Sequence, residues 1–146
     1  MASPTDAGLD DATRRFRAAL ETTTGLLLPG LRSFPNGSCG DASRLLAQYL
    51  RDSGFGDWGI TTSWRNNYSS SHAWLERGGW IIDITADQFD DMTEPVIVTC
   101  ESKWHATWHS EPTRWNNVDL SFYGSTLHVD SDYSRLKGAA DELRGK

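Results

Sequence analysis

The chain is poor in cysteine and methionine, with two of each in 146 residues, and it lacks any long basic or long apolar run. Two cysteines, Cys39 and Cys100, are too few for a disulfide-stapled scaffold and are expected to be free thiols. The 14 Lys and Arg are outnumbered by 20 Asp and Glu, for a net charge of -6, so nucleic acid is not an expected partner. No apolar stretch reaches membrane-spanning length, and the opening residues lack a basic segment followed by an apolar one. The expectation is therefore a cytoplasmic protein with no membrane partner. Repeats and low-complexity linkers are also missing. What remains, with 38% hydrophobic and 23% charged residues, suits a single globular domain covering residues 1–146.

What the chain does have is a sharp change of character between residues 34 and 43, Phe-Pro-Asn-Gly-Ser-Cys-Gly-Asp-Ala-Ser. Pro35 biases Phe34 towards an extended backbone, and Asn36-Gly37 is a turn signal. Leu45, Leu46 and Tyr49 then recur at helical spacing with Leu50 beside them, and Gly54 is a stop, so the pattern predicts a helix over 38–53. Cys39 falls in its first turn, where unpaired N–H groups and the macrodipole favour a thiolate, the nucleophilic form of the side chain.

Upstream, residues 10–20 read as an amphipathic helix with Ala12, Phe16, Ala19 and Leu20 on one side and Arg14, Arg15 and Arg17 elsewhere. Leu26, Leu27 and Leu28 are assigned to core packing. Downstream, β-branched and aromatic residues predict strands over 57–64, 71–76, 80–85, 94–100 and 119–124, and a last helix over 131–144 with Tyr133, Leu136, Ala140 and Leu143 inward. Strands 71–76 and 80–85 flank Arg77-Gly78-Gly79 and read as a hairpin. With its turn centred near Gly78, paired residue numbers sum to about 155 or 156, which sets His72 opposite residue 83 or 84. An aspartate is depleted in apolar strands such as Trp80-Ile81-Ile82-Asp83-Ile84, so Asp83 calls for a partner.

The succession of a cysteine opening a helix, then His72-x-Trp74-x-Glu76, then Trp80-x-x-Asp83-x-Thr85 resembles the transglutaminase-like branch of the papain-like cysteine enzymes. The resemblance covers about residues 34–89 and implies an α+β fold in which the cysteine-bearing helix packs on an antiparallel sheet. It also implies Cys39 as nucleophile, His72 as base and Asp83 as the residue that orients His72, with Asp87 a rival for that last role. The activity it implies is hydrolysis or acyl transfer at an amide, a peptide bond or a glutamine side chain, of a protein or peptide substrate through a thioester. The same three residues would serve a toxin or effector that modifies another protein, and a catalytically silent binding domain could keep the fold.

The Cys39 N–H is the first expected oxyanion donor. Papain-like proteases carry a glutamine six residues before the cysteine, where this chain has Ser33, and Asn36 is the nearest amide that could replace it. Asp41 suits the helix dipole and opposes a neighbouring thiolate. Trp74, Trp104 and Trp108 are the candidates for contact with substrate, and Trp115 is a further candidate for a groove wall. Cys100, His105 and His109 offer only three zinc ligands at a non-standard spacing, so neither a metal nor another cofactor is expected.

Overall fold

The computed structural model describes residues 5–124 and 127–145. Among them are four α-helices, α1 (Thr5–Thr22), α2 (Cys39–Asp52), α3 (Lys103–Ala106) and α4 (Leu127–Glu142). Five strands, β1 (Gly59–Arg65), β2 (Ser70–Arg77), β3 (Trp80–Asp83), β4 (Ile97–Thr99) and β5 (His109–Ser110), form one antiparallel sheet in the order β4-β3-β2-β1-β5. The α+β class expected from the sequence is what the chain adopts. No helix among the described residues is long and apolar enough to cross a membrane.

Helix α2 forms because Ala42, Leu45, Leu46, Tyr49 and Leu50 line one face, and that face is buried against β2 and α1. Helix α1 packs mainly on α4, burying Leu9, Ala12, Phe16, Ala19 and Leu20. The three helices meet where the Phe16 and Tyr49 rings stack at 5.0 Å, with the Tyr49 hydroxyl donating to Asp141 of α4 at 2.7 Å and accepting from Arg15. Asp132 of α4 accepts from the Leu27 and Leu28 N–H groups at 2.7 to 2.9 Å. That carboxylate fixes the segment leading to Cys39. Leu26 and Leu28 pack on the core, whereas Leu27 is exposed.

Several boundaries depart from the sequence expectation for local reasons. Residues 119–124 are not a strand: Leu120–Tyr123 is a 3-10 helix, and the Asp119 side chain accepts from Ser121 N–H at 2.9 Å. A side chain that bonds its own backbone in this way competes with a ladder. The strand expected over 94–100 shortens to β4, behind Pro95, which has no N–H to pair. The strand expected over 80–85 ends at Asp83, ahead of a 3-10 turn at Ala86–Gln88. Leu143 lies beyond the end of α4 and is not buried.

Arg15 and Arg17 were expected away from the packed side of α1, and both are buried. Arg17 reaches across to the sheet, where it donates to the Ile84 and Pro95 carbonyls at 2.8 and 3.1 Å and makes a two-pronged pair with Asp87 at 2.8 Å. Its guanidinium also lies over the Phe34 ring, 4.7 Å from the centroid. A half-buried carboxylate and two carbonyls depend on this one cation. We therefore expect Arg17→Met to lower the unfolding free energy by about 3 kcal/mol or more in a urea titration. An unchanged midpoint would show that water replaces the guanidinium at no cost.

Candidate functional site

Strand β2 alternates, so Ala73 and Leu75 join the hydrophobic core while His72 and Trp74 point to the other face. The turn to β3 holds two residues, Gly78 and Gly79, with φ of 54° and 88°. Left-handed backbone at both positions is what a tight two-residue hairpin loop requires, and glycine accepts it without strain. The turn is centred between the two glycines, so Leu75 pairs with Ile82 and Arg77 with Trp80. The register expected from a turn centred on Gly78 is therefore off by one to two residues. Continued, the observed pairing sets Asp83 opposite Trp74, and it meets His72 on the diagonal, within reach of two long side chains.

His72 Nε2 and Asp83 Oδ2 are 2.7 Å apart. His105 Nε2 lies 2.7 Å from the same oxygen, and Asp83 Oδ1 accepts from Thr85 N–H at 2.9 Å. His72 and Asp83 are each 1% exposed and His105 3%. The rings of Trp74, Phe89, Trp104 and Trp108 surround His72 at centroid distances of 5.0 to 5.8 Å. Arg65 closes the outside of this wall, 4.2 Å from the Trp108 centroid, and is held there by a two-pronged pair with Asp91 at 2.9 and 3.0 Å.

Burial alone would push His72 down, but the Asp83 charge and hydrogen bond, followed by the Cys39 thiol, outweigh it and the imidazole is pushed up to about 9. Burial likewise opposes the Asp83 charge, yet the His72 charge and the bonds from His105 and His72 hold its carboxyl well below the usual carboxylate range. Cys39 lies near enough to the ring to add to this rise. With Nε2 committed to Asp83, Nδ1 is the nitrogen left for the sulfur. Nδ1 is buried and has no hydrogen bond of ordinary geometry; resting geometries between nucleophile and base are often longer than a hydrogen bond.

The loop before Cys39 is tied at three points. Ser38 Oγ donates to the Gly30 carbonyl at 2.6 Å, Asn36 N–H to the Ser33 carbonyl at 2.7 Å, and Gly37 N–H to Gln88 Oε1 at 3.2 Å. The last bond joins the cysteine loop to the segment that follows Asp83. Because Ser38 Oγ is used there, no side chain caps α2, and the Cys39 N–H donates to no protein group among the described residues. The Asp41 carboxylate accepts from the Tyr123 hydroxyl, which burial and then this carboxylate hold far above the ordinary phenol range. It also crowds Gly30, where a Cβ would lie 2.0 Å from Asp41 Oδ2. Asp41 is thus committed to a phenol instead of standing free beside the sulfur.

The structure brings together Cys39, His72 and Asp83, and places Asp87 elsewhere, on Arg17. Asn36 is exposed in the turn before the helix. Trp74 and Trp108 are buried walls around the imidazole and cannot line an open groove; Trp104 is half-buried. Trp104 and Trp108 read as groove residues from the polar sequence around them, and the enclosure of His72 is what draws them in. Trp115, 54% exposed, belongs to a separate cleft of about 270 Å³ with Arg51, Asp57, Trp58 and Asp119. Cys100 and His109 are exposed, while both ring nitrogens of His105 are engaged, by Asp83 and Ser102. The zinc alternative therefore loses its central ligand.

His72, Asp83 and His105 do cluster closely enough, with ligand atoms within 4.8 Å, to raise the question of a different metal site. Two donors on one tetrahedral zinc ion stand roughly 3.3 Å apart, whereas both nitrogens here are 2.7 Å from Oδ2. That is hydrogen-bond spacing, with no room for an ion between the atoms. His105 and Ser102 were not foreseen as parts of the site, and Thr85 stood in the quoted motif without the N–H role it has here. The Ser-x-x-His spacing at 102–105, a helix cap, was the available signal.

Comparison with known proteins finds no matching family model, no matching curated protein and no matching solved structure.

The two shifts give a testable pH window. His72 is raised above its ordinary 6.5, so its contribution to stability is complete below 6.5 and is lost as pH rises through about 9. Asp83 is lowered from 3.8, so its contribution is present above 3.8 and is lost as pH falls. The stability difference between the native protein and Asp83→Asn, read from urea midpoints, should be largest between these limits and shrink through pH 9. A difference that is flat across pH 6 to 10 would contradict the ion pair.

Proposed function

We propose that this protein is a cysteine-dependent hydrolase or acyltransferase of the papain-like, transglutaminase-like kind, with Cys39 as nucleophile, His72 as acid and base, and Asp83 as the residue that orients His72. The observation that carries the reading is the division of the His72 ring: Nε2 bonds Asp83 at 2.7 Å, and Nδ1 is left for the thiol of Cys39. An imidazole held at one nitrogen by a buried carboxylate, with the other turned to a thiol at a helix start, is what nucleophile activation needs.

In this reading the His72 imidazolium stabilises a Cys39 thiolate, which attacks the carbonyl carbon of an amide in a protein or peptide. The Cys39 N–H, at the uncapped start of α2, is the first donor to the developing oxyanion in this reading, and the Asn36 amide is the proposed second. Collapse of the tetrahedral intermediate breaks the C–N bond, and His72 Nδ1 gives its proton to the departing amine. A thioester on Cys39 remains. His72 then takes a proton from water, which releases an acid, or from an amine, which forms a new amide.

Iodoacetamide labelling at about pH 6.5 separates this reading from a structural cysteine. Cys100 is exposed and Cys39 only half-buried, so accessibility alone favours Cys100. We expect Cys39 to label about tenfold faster, His72→Ala to remove that advantage, and Asp87→Asn to leave it intact. With an amide substrate, Cys39→Ala should abolish turnover and Asp83→Asn should cost roughly 10⁴-fold. Faster labelling of Cys100, unchanged by His72→Ala, would overturn the proposal.

A further inference from the structure

We propose that His105, set by Ser102, is a positioning residue that acts on Asp83 and through it on His72, so that the site is a five-member chain, Ser102–His105–Asp83–His72–Cys39. This rests on the reading of Cys39 and His72 given above and adds to it the group that governs the orienting carboxylate.

Asp83 Oδ2, a carboxylate oxygen, only accepts, so His105 Nε2 carries the proton of their bond, and Ser102 sits at the other ring nitrogen. Its Oγ caps α3 and accepts from the His105 backbone N–H at 3.1 Å. The same oxygen is 2.6 Å from His105 Nδ1, and in a neutral ring its hydroxyl proton points there. A ring whose Nδ1 accepts carries its proton on Nε2, and that N–H points at Asp83 Oδ2. His105 is therefore a donor to the very oxygen that holds the His72 proton. An ordinary buried histidine needs only some acceptor for its N–H. This one is fixed by a dedicated hydroxyl and spends its proton on the atom that binds the reacting imidazole.

Two consequences follow. A second donor draws charge from Oδ2, which weakens the pull of Asp83 on the His72 proton and keeps His72 from being locked as an imidazolium too basic to release it. A carboxylate bonded by His105 and by Thr85 N–H also cannot turn away with His72 when that ring moves between sulfur and leaving group. The charged and titratable groups that face His72 are Asp83 from β3 and Cys39 from α2, with His105 acting from α3 through Asp83. The rest of its surroundings are the uncharged rings of Trp74, Phe89, Trp104 and Trp108, with the Arg65–Asp91 pair outside them.

The test uses the full chain. In the native protein, ¹⁵N spectra of labelled histidine at pH 7 should show His105 protonated at Nε2 alone. His105→Phe can occupy the slot between Trp74 and Trp104, whose centroids lie 4.6 and 4.8 Å from the His105 ring, but it donates nothing. We expect it to raise the His72 titration midpoint by about one pH unit, with the alkaline limb of Cys39 alkylation moving alongside. His105→Gln keeps an N–H within reach and should restore the native midpoint. Rescue by Gln but not by Phe is an outcome that a purely structural role does not produce. A folded His105→Phe with an unmoved His72 midpoint overturns the proposal, and if that variant does not fold, His105 protonated at Nδ1 in the native protein overturns it instead. Failure of the underlying reading looks different: Cys39 then labels no faster than Cys100 and ignores His72→Ala, while the His72 midpoint still answers whether His105 acts on Asp83.

Discussion

One carboxylate oxygen, Asp83 Oδ2, accepts from two imidazoles at 2.7 Å each inside a dry aromatic enclosure, and the arrangement of the sheet's functional end depends on it. An unpaired carboxylate that is 1% exposed would cost several kcal/mol. Asp83 can ionise there only because β2 supplies His72, α3 supplies His105 and the turn after β3 supplies Thr85 N–H. Each element has its place partly because that charge must be satisfied. The same enclosure strengthens the pair, since the rings around His72 keep out the water that would screen it.

The nucleophile side is built from a different set of bonds that converge on the same point. Ser38, Gly37 and Asn36 shape the loop, Tyr123 takes the Asp41 carboxylate, and Gln88 joins the cysteine loop to the exit of β3. Arg17 holds that exit from the other side through Ile84, Asp87 and Pro95. Cys39 and Asp83 are 44 residues apart in the chain, and these short ties bring them to bear on one imidazole.

The parts of this that were legible in the sequence are those set by local period and punctuation. The run Leu45, Leu46, Tyr49, Leu50 after Asn36-Gly37 marks α2 and puts Cys39 at its start, and Gly78-Gly79 between two apolar strands marks the hairpin. An aspartate in Trp80-Ile81-Ile82-Asp83 signals a partner. The register came out one to two residues away because it depends on whether one glycine or both form the turn, which composition does not decide. His105 was not legible as a member of the site, since its partner lies 22 residues away and is reached only when α3 folds over the sheet. Burial of Arg15, Arg17 and Trp108 was missed for a related reason: a long or amphipathic side chain is taken into the interior by what meets it there, and helical or strand period says nothing about that.

The account turns on the charge of His72 in the resting protein. Histidine ¹⁵N spectra at pH 7.5 should show His72 protonated on both ring nitrogens, titrating only near pH 9, with the midpoint falling in Cys39→Ala as the sulfur's contribution is lost. A His72 that is singly protonated at pH 7.5 and indifferent to Cys39→Ala would contradict the ion pair on which the proposed chemistry rests.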